Sequence, residues 1–252
     1  MNNDISGTVR WENKTNKFIT MSKYDSVKQA AWEANLRLPE LDLVLFTFGN
    51  VSVCDQKQGA FAIKPSGVPY AELEAEMMVI VDFDGKTIEG DLRPSSDTLT
   101  HAVLYKTWKD IGAIVHTHST HATAWAQALR DIPILGTTHA DYVAGDIPCA
   151  LPMSDEMVKG NYEQQTGVQI VKCLTDRNLD YHDVEMILVG SHAPFCWGKD
   201  WSKAIYNAAI LEEIARMASL TVQINPKAPR LSDALIKKHY LRKHGPDSYY
   251  GQ

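Results

Sequence analysis

Residues 111–119 read IGAIVHTHS, an apolar run that closes on two histidines. The run predicts a buried β-strand, and alternate side chains of a strand lie on one face. The imidazoles of His116 and His118 can therefore point at one ion. A second apolar stretch, residues 186–190, is followed by a serine and then His192. Two strand ends that carry three imidazoles predict a catalytic zinc site with one coordination position open for substrate.

Strands and helices alternate on both sides of this stretch, without a repeat or a linker. The predicted strands are residues 43–48, 60–63, 77–83, 87–89, 111–118, 132–135, 147–151 and 186–190, and the predicted helices are residues 26–38, 94–108, 122–129, 162–174, 201–220 and 232–244. This mixture predicts one three-layer α/β domain over residues 21–252. We expect the polar residues 1–20 to form a poorly ordered N-terminal extension.

Composition excludes several classes of protein. The chain has 252 residues and is 44% hydrophobic, a composition that predicts a globular domain. Its formal charge of −6 predicts that it does not bind nucleic acid. It contains no apolar run long enough to cross a membrane and no apolar segment of a secretory signal. The four scattered cysteines are expected to be reduced and buried. These features together predict a cytoplasmic protein.

Three pairs of small residues are candidates for binding an anion. Gly49-Asn50 and Ser66-Gly67 follow predicted strands, Ser95-Ser96 opens a predicted helix, and Lys64 precedes the second pair. Backbone amides and hydroxyls at such positions can hold an oxyanion. Each pair alone is better explained as ordinary turn or capping chemistry. All three together with a lysine predict a phosphate site, if the fold brings them into contact.

Other polar residues admit two interpretations. Asp97 is either an acid near the start of a helix or a carboxylate that faces the metal, and Asp141 can be a plain loop residue. Paired tyrosines at the C-terminus, including Tyr250, predict that the tail docks or supplies a phenol to a site. Four basic residues are expected to form the solvated face of the last helix: Lys237, Lys238, Arg242 and Lys243.

Several of these stretches together resemble the class II aldolase/epimerase superfamily. They are residues 47–52 (TFGNVS), 63–68 (IKPSGV), 94–98 (PSSDT), 114–119 (IVHTHS) and 136–142 (GTTHADY). The resemblance covers the chain from about residue 23 to its end. It implies an α/β/α sandwich around a largely antiparallel sheet and a homotetramer with four-fold cyclic symmetry.

The resemblance also implies roles for individual residues. Its metal ligands fall on His116, His118 and His192, with Asp97 at a fourth metal position. Its phosphate-binding residues fall on Gly49, Asn50, Lys64, Ser66, Gly67, Ser95 and Ser96. Its acid/base pair falls on Asp141 and Tyr250, and the phenol would come from a neighbouring subunit.

The tail stretches 239–245 (HYLRKHG) and 249–252 (YYGQ) narrow the resemblance to the pentose-phosphate 4-epimerases of the superfamily. They imply zinc-dependent interconversion of L-ribulose 5-phosphate and D-xylulose 5-phosphate, through cleavage of the bond between carbons 3 and 4. Arabinose and ascorbate catabolism both remain open, as does replacement of zinc by another divalent cation. The nearest alternative is a class II sugar-phosphate aldolase, which calls for a glutamate where this chain has Asp97. A binding module of the adducin type, without metal ligands, is a second alternative.

Overall fold

The computed structural model describes residues 22–246 and 248–249, so the predicted extension and Tyr250 lie outside the described residues. The strands are β1 (Asn50–Asp55), β2 (Ala60–Ile63), β3 (Val79–Asp82), β4 (Thr87–Glu89), β5 (Ala113–His116), β6 (Cys149–Ala150), β7 (Met186–Val189) and β8 (Pro194–Gly198). The helices are α1 (Asp25–Glu40), α2 (Thr98–Thr107), α3 (Thr120–Gln127), α4 (Thr137–Ala140), α5 (Asp155–Lys159), α6 (Tyr162–Asp176), α7 (Trp201–Ile224) and α8 (Asp233–His244).

The eight strands form one sheet in the order β4-β3-β2-β1-β5-β8-β7-β6. Every pair is antiparallel except β6–β7, which is parallel. The expectation of a largely antiparallel sheet is therefore confirmed. In this register His116 pairs with Asn50 on one side and with Phe195 on the other. The ends of three central strands thus meet at one edge of the sheet.

Alternating side chains give the sheet two buried faces. Along β2, Ala60 and Ala62 belong to one core with residues of α1, α3 and α7. Phe61 and Ile63, between and beyond them, belong to a second core with residues of α2 and α6. Successive strand residues point to opposite faces, so the sheet has two apolar faces. Helices pack against both of them. This confirms the three-layer α/β/α sandwich.

The predicted strand over residues 43–48 is wrong, because the first strand of the sheet is β1. The apolar side chains of Leu45, Phe46 and Phe48 are exposed, and Phe46 has a φ of +53°. A left-handed residue breaks the extended conformation that a strand requires. Gly49 has a φ of +73°, and a Cβ there would lie 2.8 Å from the carbonyl oxygen of His116. Glycine at this position thus permits the close approach of the loop to β5.

β8 was not predicted. Because β8 follows β7 closely, His192 lies at a different kind of position from the one predicted. This histidine lies in the turn of a hairpin between β7 and β8, at which Ser191 has a φ of +61°. The predicted polar strand end is therefore a turn, and it lies beside the end of β5.

Of the four free cysteines, Cys149 and Cys196 are buried as expected, and the other two are half-buried. No helix within the described residues is long and apolar enough to cross a membrane.

Candidate metal and anion site

Three imidazoles meet at the sheet edge. His116 is the last residue of β5, His118 follows two residues later, and His192 comes from the β7–β8 turn. One ring nitrogen of each lies within 4.8 Å of the others. We call these three residues the imidazole cluster. This spacing suits three ligands around one ion, as the sequence predicted.

The ring of His116 is fixed in a ligand-ready orientation. Its Nδ1–H donates to the carbonyl oxygen of Pro194 at 3.0 Å, which leaves the Nε2 lone pair free to face the cluster. The ring of Phe195 stacks on it at 4.2 Å between centroids. Burial lowers the pKa of His192 to about 3 and also lowers that of His118. These two imidazoles are therefore neutral at pH 7, the form that binds a metal.

Asp97 lies beside the cluster, at the N-terminal end of α2. Its Oδ2 is 3.9 Å from Nε2 of His116 and accepts a hydrogen bond of 2.7 Å from the Asn50 amide. The same amide donates to the hydroxyl of Ser95 at 3.1 Å. Burial raises the pKa of Asp97, but the imidazoles and this amide outweigh it and hold the pKa below its ordinary value. The carboxylate is thus ionised and lies beside the imidazole cluster.

The three predicted pairs of small residues do converge. A single β-bridge joins Pro65 to Pro94, and the Ser95 amide donates to the Lys64 carbonyl at 3.0 Å. We call the converging residues the anion cradle: Gly49, Asn50, Lys64, Ser66, Gly67, Ser95 and Ser96. All seven line one cavity of about 460 Å³, together with the imidazole cluster and Asp97.

Lys64 is the cation of the anion cradle. Its side chain is buried, and its ammonium group donates to the carbonyl oxygen of Val68 at 2.6 Å and lies 4.9 Å from the centre of the Tyr70 ring. Burial lowers its pKa to about 8. The group is therefore mostly charged at pH 7 and loses its charge in mildly alkaline solution.

Two cavity residues at the start of α6 were missed by sequence reasoning. Tyr162 and Glu163 line the same cavity, and the Tyr162 ring lies 6.1 Å from that of His192. Nothing local marks them, because they open an ordinary amphipathic helix whose N-cap is Asn161. Only the packing of α6 across the sheet face brings them to the cavity.

Asp141 has a different environment. Within the described residues it does not line the cavity, and its carboxylate instead accepts two hydrogen bonds from Arg242, at 2.9 and 2.8 Å. His239 lies 3.1 Å from the same carboxylate, and His244 donates to the Asp141 carbonyl oxygen at 2.9 Å. We call these four residues the α8 clamp. The predicted solvated face is thus wrong for Arg242, which is ion-paired.

The charge state of the α8 clamp follows from these contacts. Burial raises the pKa of Asp141, but the hydrogen bonds from Arg242 and His239 outweigh it and hold the pKa below its ordinary value. The carboxylate is therefore ionised at neutral pH. It ties the loop after α4 to the helix that leads to the C-terminal tail.

The chain belongs to the family described as the class II aldolase and adducin N-terminal domain, whose model matches residues 29–219. A curated relative, L-ribulose-5-phosphate 4-epimerase UlaF of Salmonella paratyphi B, is 51% identical over 226 residues, which are 90% of this chain and 98% of that protein. The predicted family is confirmed.

Solved structures share the fold. An L-fuculose 1-phosphate aldolase superimposes with a TM-score of 0.70 at 24% identity, over 87% of this chain and 95% of that one. The L-fuculose-1-phosphate aldolase of Thermus thermophilus gives a TM-score of 0.62 at 23% identity, over 81% of this chain and 98% of that one. The predicted architecture is therefore that of known class II aldolases.

Proposed function

We propose that the protein is a divalent-metal-dependent L-ribulose-5-phosphate 4-epimerase of the cytoplasm. One observation carries the proposal: the imidazole cluster and the anion cradle share a single cavity. Such a cavity suits a small phosphorylated sugar whose oxygens bind a cation at one end and whose phosphate binds at the other. The 51% identity to a protein named for this activity supports the choice among class II reactions.

The residues present fit a zinc ion. His116 offers a free Nε2, and Nδ1 of His192 is buried without a hydrogen-bond partner among the described residues. A buried nitrogen that lacks a partner is costly unless a ligand satisfies it. We propose that the imidazole cluster holds the ion, with Asp97 at a fourth position. When bound, the cation supplies Lewis-acid stabilisation of negative charge on the substrate's carbonyl oxygen.

In the proposed reaction a base removes the proton from the C4 hydroxyl of L-ribulose 5-phosphate, and the C3–C4 bond breaks. The electron pair of that bond passes into the three-carbon fragment as an enediolate, and C4 becomes the aldehyde of glycolaldehyde phosphate. The anion cradle retains the phosphate while the aldehyde turns its other face. The enediolate carbon then attacks the aldehyde, and an acid returns a proton to the oxygen on C4 to give D-xylulose 5-phosphate.

We propose Asp141 and Tyr250 as the acid/base pair, both from a neighbouring subunit of a homotetramer. Asp141 lies outside the cavity of its own chain and holds α8, which leads to Tyr250. One neighbour can therefore deliver both groups together. The exposed apolar side chains of Leu45, Phe46 and Phe48, beside the cavity, also favour burial against another subunit.

A coupled assay with L-ribulose 5-phosphate tests the activity. We expect D-xylulose 5-phosphate to form, and we expect chelator to abolish its formation until zinc is restored. Release of free glycolaldehyde phosphate as the main product would identify an aldolase. Absence of any conversion, with zinc bound, would favour a binding module.

Mixed oligomers test the origin of the acid/base pair. If both groups come from one neighbour, mixing His118→Asn with Tyr250→Phe subunits restores intact sites, because each variant supplies what the other lacks. Mixing Asp141→Asn with Tyr250→Phe then restores none. Recovery in the second mixture, with subunit exchange demonstrated by mass, would place the two groups on different chains.

A further inference from the structure

The start of α6 is held rigidly against α2. The Thr100 hydroxyl donates to the carbonyl oxygen of Glu163 at 2.6 Å. One turn later, a Cβ on Gly167 would lie 2.7 Å from the Cβ of Val103, so glycine permits the close approach of the two helices. These contacts fix the start of α6 against α2 and so place Tyr162, its first residue, in the cavity wall.

The phenol of Tyr162 enters the cavity beside its metal-binding end. Its ring faces His192, and burial and the nearby Asp97 carboxylate raise its pKa. It is therefore a neutral group whose oxygen is already hydrogen-bonded by the Thr166 side chain and whose O–H can donate to a ligand. The anion cradle supplies the cation and hydroxyls for a phosphate, and the imidazole cluster supplies nitrogen ligands. A neutral phenol in the same cavity, beside His192, matches a hydroxyl rather than a charge.

We propose that Tyr162 is a substrate-binding residue that hydrogen-bonds a hydroxyl of the bound ketopentose phosphate and so contributes to its selection. This inference rests on the function proposed above. A phenol has only two side-chain torsions, so little conformational entropy is lost when it binds. A site that hydrogen-bonds a substrate hydroxyl also discriminates against sugars that lack it or place it differently.

The test compares Tyr162→Phe with the wild-type enzyme in the zinc-loaded form. Loss of one hydrogen bond to substrate should raise the KM for L-ribulose 5-phosphate about three- to tenfold, with a smaller change in kcat. Zinc content and inhibition by inorganic phosphate should not change, because the imidazole cluster and the anion cradle are intact. Tyr181→Phe is the matched control, since its hydroxyl donates only to the exposed Asp110, and it should leave KM unchanged.

The possible results distinguish a failure of the role of Tyr162 from a failure of the proposed function. An unchanged KM in Tyr162→Phe, with an active wild-type enzyme, would overturn the role of Tyr162 and leave the proposed function standing. Loss of zinc or of phosphate inhibition in this variant would show a structural role and would also overturn the inference. A wild-type enzyme that does not convert L-ribulose 5-phosphate would instead refute the proposed function, and the inference with it.

Discussion

The imidazole cluster and the α8 clamp are held in place by different forces. The cluster lies at the end of β5 and in the β7–β8 turn, beside strands that are buried on both faces of the sheet. His116 is 2% exposed, His192 is half-buried and His118 is exposed. The α8 clamp joins Asp141 to a helix in which no residue is buried. Its attachment therefore depends on charged hydrogen bonds rather than on apolar packing.

This difference separates two parts of the proposed chemistry. The proposed metal and phosphate positions are built by one chain, and we expect them to survive any disturbance of α8. The proposed acid/base pair depends on the α8 clamp, which weakens when its charges are removed or screened. Variants in the two regions should accordingly fail in different ways.

The largest effect is expected from His118→Asn. Loss of one ligand should release the metal and lower the activity more than about 100-fold, since even residues that only support a ligand cost about 10–100-fold. The loss is measured as zinc content and turnover after dialysis against chelator. His121→Asn, three residues further along, is the control and should keep both. Full turnover of His118→Asn after dialysis would refute the metal site.

The anion cradle should give the next largest effect. Replacement of Ser66 or Ser96 by alanine removes a hydrogen bond to a charged phosphate, worth about 1.5–3 kcal/mol. The KM for the phosphorylated substrate should rise accordingly, while zinc content stays constant. If neither replacement changes KM, the phosphate binds elsewhere.

Removal of the ion pair tests the α8 clamp. Arg242→Leu should speed hydrogen exchange of the α8 amides, because it costs about 1.5–3 kcal/mol of local docking free energy. Zinc content and phosphate binding should not change. Lys237→Leu, an exposed change on the same helix, is the control. Unchanged exchange in Arg242→Leu would show that α8 is held by other contacts.

The same clamp should respond to acid. Because the pKa of Asp141 is lowered in the folded chain, its contribution is fully present above the unfolded pKa of about 3.9. It is lost as the pH falls through the lower, folded pKa. The protection factors of the α8 amides, which correct for the intrinsic pH dependence of exchange, should therefore fall below about pH 4 in the wild-type protein and change less in Arg242→Leu. Identical acid profiles would contradict the role of Asp141.

Lys64 should produce the smallest effect. Its pKa is about 8, so the free cradle keeps most of its positive charge at pH 7 and loses most of it by pH 9. A simple alkyl phosphate, a monoester with a second pKa of about 6, remains mostly a dianion throughout this range. Inhibition by this alkyl phosphate should weaken about tenfold from pH 7 to pH 9, and Lys64→Met should remove this dependence. A flat profile in the wild-type enzyme would exclude Lys64 as the titrating cation.

The sequence predicted the imidazole cluster because its signal is local. His116 ends a buried strand and His118 follows two residues later, and the apolar run that precedes His192 marks a second strand. The anion cradle was predictable only as separate pairs, since the bridge between Pro65 and Pro94 is a contact between distant loops. The role of these pairs in binding one phosphate was inferred from the resemblance to a family.

Other features could not be predicted from local pattern. The apolar run 43–48 indicated a buried strand, yet Phe46 is 84% exposed, because hydrophobicity alone does not reveal which apolar segments remain at the surface. Tyr162 reaches the cavity only through the packing of α6 on α2. Arg242 belonged to a basic run, and nothing in its neighbourhood pointed to Asp141, which lies 101 residues away.

Anomalous scattering from crystals grown with zinc tests the central claim most directly. One strong peak per chain is predicted, at about 2.0–2.1 Å from a ring nitrogen of each of His116, His118 and His192. Its position should adjoin the anion cradle. A peak at another group, such as the surface pair of His182 and Asp110, with none at the imidazole cluster, would contradict the account.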